Sequence, residues 1–169
     1  MNRYQSGFSL IELVIVVTII GIVASIAIPN MLAARRAANE GSAISSLRSL
    51  HGAQSVYQTS NGAGNYAGTV GSTGDTTGLA ALQSVRLVDD VLGTGTKSGF
   101  NFVGAITLSN TATPATFFFS ANPVSTSGIT QSGTRRFCVT QQGFLGADPT
   151  SIATLFDETT APTAPPYSN

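Results

Sequence analysis

One carboxylate lies inside a long apolar segment near the start of the chain. The run from Phe8 to Ile28 contains 21 residues and a single charged side chain, Glu12. A carboxylate in an apolar environment is unfavourable by several kcal/mol unless it is neutralised. Glu12 is therefore the first residue whose type and position call for a chemical role, and it argues against an inert membrane span.

The other chemically capable side chains are too few to build a catalytic or metal site. The chain has one histidine, His51, and one cysteine, Cys138, which excludes a multi-histidine or Cys/His metal site and an intramolecular disulfide. His51 lies mid-helix, where a packed or surface histidine is strongly favoured over a catalytic one. Asp89 and Asp90 favour a solvated pair over a calcium site. We therefore predict no catalytic residues, no metal, no cofactor and no enzymatic activity.

The composition argues against nucleic-acid binding as the main activity. The 169 residues are 42% hydrophobic and 9% charged, and eight basic side chains balance eight acidic ones. No basic excess is available to bind phosphate backbones. Arg135-Arg136 allows a small basic patch, although a solvated start of a strand is the favoured interpretation. The Gly93–Gly99 segment lacks the glycine that a phosphate-binding loop needs directly before its lysine.

The apolar segment has the length of a membrane-spanning helix. At 1.5 Å per residue, Phe8 to Ile28 extends about 31 Å, close to the thickness of the bilayer hydrocarbon. Met1–Ser6 is a short polar leader with one cation, Arg3, as in a secretory signal peptide. Conventional cleavage near Ala24–Ala27 stays open by pattern alone. Glu12 and the continuation of the helical pattern beyond the apolar run argue against it.

The helical pattern continues to about residue 58. Apolar side chains recur three or four positions apart and form one stripe, made of Ala43, Ile44, Leu47, Leu50, Ala53 and Tyr57. We predict one helix of roughly 50 residues that is interrupted rather than ended at Pro29, where Ser25 loses its helical N–H partner. Gly21 is a second weak point. Asn61-Gly62 is predicted to end the helix.

The first 58 residues resemble a known family. The stretch Gly7-Phe8-Ser9-Leu10-Ile11-Glu12-Leu13-Val14 resembles the processing and assembly signal of type IV prepilins and of the related type II secretion pseudopilins. The spacing is specific, with a glycine, an aromatic residue, and a glutamate four residues after the aromatic. Gly21 and Pro29 also fall where type IV pilins carry a glycine and a proline.

The resemblance implies a processing and assembly route. Met1–Gly7 would be a leader, cut between Gly7 and Phe8 on the cytoplasmic face by a prepilin peptidase, and Phe8 would then be N-methylated. Glu12 would attract the new α-amino group of Phe8 on a neighbouring subunit. The implied partners are copies of the chain in a helical filament, the peptidase and the pilus assembly machinery of the inner membrane. The chain would span the membrane once before assembly and lie in an extracellular surface filament afterwards.

The remaining sequence predicts a small sheet after irregular and short helical segments. Residues 61–78 are a glycine-rich loop, and residues 79–92 favour a short helix or a helix followed by a turn. Three or four antiparallel strands are predicted to follow. The first is indicated by alternating apolar residues at Phe100, Phe102, Ile106 and Leu108, and the others are Thr116–Ala121, Arg136–Gln141 and a short segment at 144–146. The fold class is α+β, with one sheet face on the helix stripe.

The domain organisation follows from these elements. The predicted segments are a leader at 1–7, a transmembrane and filament-core helix at 8–30, an amphipathic helix at 31–60, a globular loop and sheet region at 61–160, and a Pro-rich tail at 161–169 that is extended or mobile. Cys138 is predicted to be a buried structural thiol. Many pilins close a C-terminal loop with a disulfide, and this chain departs from that pattern.

Three classes of function are compared on these grounds. The leading hypothesis is a structural subunit of a type IV pilus, with adhesion, twitching motility, DNA uptake and biofilm formation as family roles that the sequence does not choose between. The alternatives within the family are a type II secretion pseudopilin and a low-copy minor pilin. A singly anchored periplasmic binding protein or enzyme lacks the polar groups for a pocket. The hypothesis of an electron-conducting filament depends on the aromatic side chains of the chain, and packing in the core explains those.

Overall fold

The computed structural model describes residues 7–71, 73–150 and 152–168. Contacts divide the chain into two compact units, Met1–Arg35 and Arg36–Asn169, and each unit is described by itself. The helices and strands, in chain order, are α1 Leu10–Ser60, α2 Thr77–Ser84, α3 Asp90–Gly93, β1 Thr96–Lys97, β2 Phe100–Thr107, β3 Thr116–Pro123, β4 Arg136–Thr140 and β5 Leu145–Asp148.

The first unit consists of the apolar start of α1, whose side chains are exposed almost throughout. Helix α1 is long and apolar enough here to cross a membrane, by length and composition alone, and a signal sequence would pass the same test. Its hydroxyl groups are satisfied by the helix itself. Thr18 donates to the carbonyl of Val14 at 2.8 Å, and Ser25 donates to that of Ile22 at 2.7 Å. These hydroxyls therefore need no water.

The second unit contains a five-stranded antiparallel sheet in the order β1-β2-β3-β4-β5. The α+β prediction is confirmed, and the strand predicted at 144–146 begins at Leu145 and continues to Asp148. The fifth strand, β1, was not predicted. It joins β2 through a two-residue turn, in which Ser98 and Gly99 have φ values of 50° and 75°. Positive φ at both turn residues matches the twist of a tight hairpin.

One face of the sheet packs on the predicted helix stripe. Leu47 and Leu50 of α1 are fully buried in one core cluster with the aromatic side chains of Phe102, Phe119 and Phe137. The cluster also includes Leu79, Leu82 and Leu92 from the two short helical segments. Burial of these apolar side chains is the main stabilising contribution in this unit.

Gly104 has a packing role on β2. It lies opposite Phe119 in the register of β2 and β3, and a Cβ at this position would come within 2.3 Å of the Phe119 ring. The missing side chain makes room for the ring. A glycine inside a strand often marks such a close approach.

The opposite face of the sheet is covered by the C-terminal segment, which the sequence did not indicate. A second core cluster joins Phe118 and Cys138 with Phe156, Ala161 and Ala164. The predicted tail is extended only from Pro165 onward, because residues 161–164 form turns and bends. The extended part pairs with β5: the Ala147 N–H donates to the carbonyl of Pro165 at 2.8 Å, and the Tyr167 N–H donates to the carbonyl of Leu145 at 2.9 Å. The described part of the tail is therefore docked on the sheet.

The remaining expectations agree in part with the structure. Helix α1 ends at Ser60, directly before the predicted stop at Asn61, and residues 79–92 contain parts of two short helices. Leu108 lies beyond the end of β2 and is half exposed, so its assignment to the buried face of that strand is wrong. The alternation stops at Thr107 because the chain leaves the sheet there.

Candidate functional site

The predicted processing position lies on exposed chain just before α1. Gly7, Phe8 and Ser9 precede the helix, and the Phe8 side chain is 76% exposed. A Cβ at Gly7 would meet no atom within 4 Å. The peptide bond between Gly7 and Phe8 is thus open to an enzyme that reaches this end of the helix. Residues 1–6 of the predicted leader lie outside the described residues.

Glu12 occupies the first turn of α1, three residues after Ser9. The backbone N–H of Ser9 donates to Glu12 Oε2 at 3.4 Å. A glutamate in this position can satisfy an N-terminal N–H, and its negative charge is favoured by the positive end of the helix dipole. The Glu12 carboxylate is therefore oriented toward the start of the helix. Phe8 lies there, and the predicted cleavage would make Phe8 the first residue of the chain.

Gly21 and Pro29 lie inside α1, which runs from Leu10 to Ser60 without a break in helical assignment. A Cβ at Gly21 would meet no atom within 4 Å, so nothing in the single chain requires glycine there. Pro29 has no N–H to donate to Ser25. The single chain thus stays helical at both positions, and local unwinding inside a filament stays a prediction.

A buried carboxylate that the sequence did not indicate holds α1 to the sheet in the second unit. Glu40 is 5% exposed. Its Oε1 accepts bonds from the backbone N–H of Thr134 at 2.6 Å and from the Thr134 hydroxyl at 2.7 Å. Its Oε2 accepts a bond from Arg135 Nε at 3.0 Å, and Nη2 of the same arginine lies at 3.0 Å. The charge of Glu40 is thereby both paired and hydrogen-bonded, as burial requires.

Arg136 is likewise paired with a carboxylate of the same chain. Its Nε and Nη2 donate to Asp148 Oδ2 at 3.1 and 2.7 Å, and its guanidinium lies 4.0 Å from the centre of the Phe156 ring. Bonds from the hydroxyl and N–H of Thr150, followed by Arg136, lower the pKa of Asp148 to about 2. The Arg136 side chain is 11% exposed, so the predicted solvated strand start is wrong for this residue, whereas the Arg135 side chain keeps 34% of its surface in solvent. Both arginines have carboxylate partners, so the alternative of a free basic patch has no support.

The other residues named in the sequence analysis make contacts that stabilise the fold. Cys138 is fully buried, and burial raises the pKa of its thiol to about 11, which agrees with the predicted structural thiol. His51 Nε2 lies 3.1 Å from the carbonyl of Gln141. Asp89 caps α3 through the N–H of Leu92, and a bond from Lys97 at 2.7 Å is the main cause of its lowered pKa. Among the described residues, no three His, Cys, Asp or Glu side chains form a group that could hold a metal ion.

The match that decides the family resemblance falls on the processing segment. Residues 2–28 match the model described as the prokaryotic N-terminal methylation motif. The chain carries a prepilin-type N-terminal motif. This confirms the resemblance stated from Gly7, Phe8 and Glu12.

Curated relatives of two kinds share about a third of the chain. Type II secretion system core protein G of Aeromonas hydrophila is 37% identical over 60 residues, which are 36% of this chain and 42% of the relative. The type IV wide pilus major component PilA4 of Thermus thermophilus is 46% identical over 59 residues, 35% of this chain and 45% of the relative. The type IV major pilin protein PilA of Myxococcus xanthus is 45% identical over 56 residues, 33% of this chain and 26% of the relative.

The similarity leaves most of the chain without a counterpart. The chain spans less than half the length of these relatives. No solved structure gives a significant match. The second unit is therefore understood from its own contacts alone.

Proposed function

We propose that the chain is a structural subunit of a type IV pilus filament. It is cleaved after Gly7, N-methylated at Phe8 and polymerised through its N-terminal helix, with Glu12 as the assembly charge. Before assembly it spans the inner membrane once, and after assembly it lies in a filament on the cell surface. The observation that carries this proposal is an exposed apolar helix with one carboxylate in its first turn, directly after a prepilin-type cleavage position.

The charge of Glu12 gives assembly a driving force and a register. Cleavage before Phe8 creates an ammonium group at the positive end of the helix dipole, where a cation is unfavourable. An unpaired carboxylate in an apolar environment is unfavourable as well. Pairing the ammonium of one subunit with Glu12 of its neighbour offsets part of both penalties, and only a staggered arrangement of copies brings the two groups together.

The apolar side chains themselves provide little preference for the filament. Lipid and a bundle of like helices are similarly apolar, so moving the first unit from one to the other brings little hydrophobic gain. Close helix packing and polar pairing must therefore favour assembly. Gly21, which has open space around it in the single chain, permits a close approach of helices. Pro29 permits local unwinding in the filament.

A type II secretion pseudopilin or a low-copy minor pilin is the second candidate. It is favoured by the similarity to type II secretion core proteins, of which the Aeromonas hydrophila protein is one. A pseudopilin would use the same cleavage, methylation and Glu12 pairing. The two candidates therefore differ in where the processed chain accumulates and not in the chemistry of its first residues.

Mass spectrometry of sheared surface filaments tests the proposal. The expected result is abundant chain whose N-terminal peptide begins at methylated Phe8. Processed chain that is absent from the sheared material would favour the pseudopilin or minor-subunit alternative. Chain that begins at Met1 and stays in the membrane would refute both. A Gly7→Ala variant at the cleavage position is expected to be cut less and to accumulate with its leader.

A further inference from the structure

The C-terminal segment that covers the second core cluster is held near its start by one side chain. Arg136 Nη1 donates to the Thr154 hydroxyl at 2.8 Å and to the carbonyls of Thr154 and Leu155 at 3.4 and 3.1 Å. Its Nε and Nη2 donate to Asp148, and its guanidinium lies over the Phe156 ring. Asp148 ends β5 and Phe156 belongs to the second cluster. One guanidinium therefore joins both sides of the turn between them.

The strap, which we define as residues 149–164, has little regular structure of its own. Its described residues form turns and bends without a helix or a strand. Phe156, Ala161 and Ala164 pack in the second cluster, and no described residue of the strap belongs to the first cluster. Few apolar side chains therefore hold the strap on the sheet, which gives the polar contacts of Arg136 a large share in keeping it closed.

Both ends of the strap are anchored outside the second cluster. It continues directly from Asp148 at the end of β5, and beyond it the Ala147 N–H donates to the carbonyl of Pro165 at 2.8 Å. Further along, the Tyr167 side chain packs against the first cluster. The middle of the strap is thus free to lift while the strands and the tail stay in place. Local openings of this kind, over an otherwise folded core, are common in native proteins.

We propose that the strap is a lid that opens as a unit over an intact first cluster, and that Arg136 holds it closed. In the closed state the Cys138 thiol is fully buried and donates to the carbonyl of Ala161 at 3.5 Å. Opening uncovers Cys138 and Phe118, while the first cluster stays packed on α1. The chain thereby presents an apolar surface and a thiol without unfolding. This inference does not depend on the proposed function.

The neighbouring arginine provides a contrast. Arg135 pairs with Glu40 of α1, whereas Arg136 contacts the strap. Glu40→Gln therefore weakens the contact of α1 with the sheet and leaves the strap contacts unchanged. Arg136→Lys keeps a positive charge for Asp148, but a single ammonium does not replace the planar fork that bonds the carboxylate and the strap carbonyls together. The two variants separate opening of the strap from a loss of stability in the whole unit.

Thiol labelling of the full-length chain in detergent micelles tests the proposal, because Cys138 is its only cysteine. With a maleimide at pH 8 and no urea, Arg136→Lys is expected to be labelled at least tenfold faster than the native chain. Its rate is expected to depend little on urea below the unfolding transition, because lifting the strap exposes little surface. Glu40→Gln is expected to be labelled as slowly as the native chain. So is Leu155→Ala, which keeps the carbonyl that Arg136 bonds.

Hydrogen exchange measured by mass spectrometry provides a second readout. In Arg136→Lys, faster exchange is expected in peptides from the strap, while peptides from β2 and β3 stay protected. Labelling of this variant at the native rate overturns the proposal, as does a rate that rises with urea as steeply as unfolding of the whole unit. Faster exchange in all strands, or equal acceleration in Glu40→Gln, shows a general loss of stability in place of a lid and overturns the proposal too.

Discussion

Replacing Asp148 with asparagine removes the negative charge that Arg136 faces and keeps the size of the side chain. The carboxylate receives four bonds, two from Thr150 at 2.7 and 2.6 Å and two from Arg136 at 3.1 and 2.7 Å. The side chains of Asp148 and Arg136 are 12% and 11% exposed. In the variant, a largely buried guanidinium loses its counter-charge, so the native state is expected to lose stability.

The size of the loss follows from the pKa of Asp148. That pKa is about 2 in the folded chain against an ordinary value of 3.8, and a difference of this size corresponds to roughly 2 kcal/mol of folding free energy at neutral pH. Since the folded pKa is the lower one, the contribution is fully present above the unfolded pKa. It falls to about 1 kcal/mol at pH 3 and to less than about 0.5 kcal/mol at pH 2.

Urea unfolding of the full chain in detergent micelles measures this difference. Tyrosine fluorescence is a suitable signal because the chain has no tryptophan, and Tyr57, Tyr66 and Tyr167 pack against the core of the second unit. The free energy of unfolding is compared between the native chain and Asp148→Asn at pH 7 and pH 3, with the exposed Asp90→Asn as control. A deficit of the variant that is equally large at both pH values would refute the role of the charge.

Three further outcomes follow from the structure. Glu12→Ala is expected to give cleaved, membrane-resident chain that does not form ordered filaments, and Glu12→Asp is expected to recover part of the filament yield. A normal filament yield from the alanine variant would contradict the proposed pairing of Glu12 with the Phe8 ammonium. Glu40→Ala leaves Arg135 without its buried partner and is expected to lower the free energy of unfolding by about 3 kcal/mol, measured by the same urea assay; a loss below about 1 kcal/mol contradicts the assigned contact. Cys138 is expected to react with a maleimide at pH 8 only in urea, because its thiol is fully buried and has a raised pKa; rapid labelling of the native chain would show that the strand opens.

Features that depend on nearby residues were predictable from the sequence. The stripe of α1 was found because Ile44, Leu47 and Leu50 recur with the period of a helix, and burial confirms it. Strands β2 to β4 were found because their apolar residues alternate or run together. The Ser98-Gly99 turn carried a weaker signal, since a Ser-Gly pair marks a turn, while the positive φ of Ser98 is uncommon for a residue other than glycine.

Features that depend on distant residues were not predictable. Glu40 lies seven residues before Leu47, on the same helix face, so its burial had a local signal. Its partners Thr134 and Arg135 are more than 90 residues away, and one sequence does not reveal such a pairing. Gln54 has a nearer partner that was missed as well: its amide bonds both the N–H and the carbonyl of Ala67, 13 residues further along in the irregular glycine-rich loop.

The distribution of charge in the chain bears on the proposed assembly. In the second unit, Glu40, Asp89 and Asp148 each have a basic partner within 3.0 Å. Local pairing limits the repulsion that a field of like charges would cause when copies of this unit approach one another. Glu12 lies in the apolar segment, and among the described residues no cation lies within ion-pair distance of it; it accepts a bond from the Ser9 N–H. Four carboxylates of the second unit, Asp75, Asp90, Asp157 and Glu158, also have no basic partner among the described residues, but they lie on a polar surface, where water solvates them. Glu12 lies in an apolar segment, where an unpaired carboxylate is costly, so it gains most from the ammonium group that a neighbouring copy would supply under the proposed function.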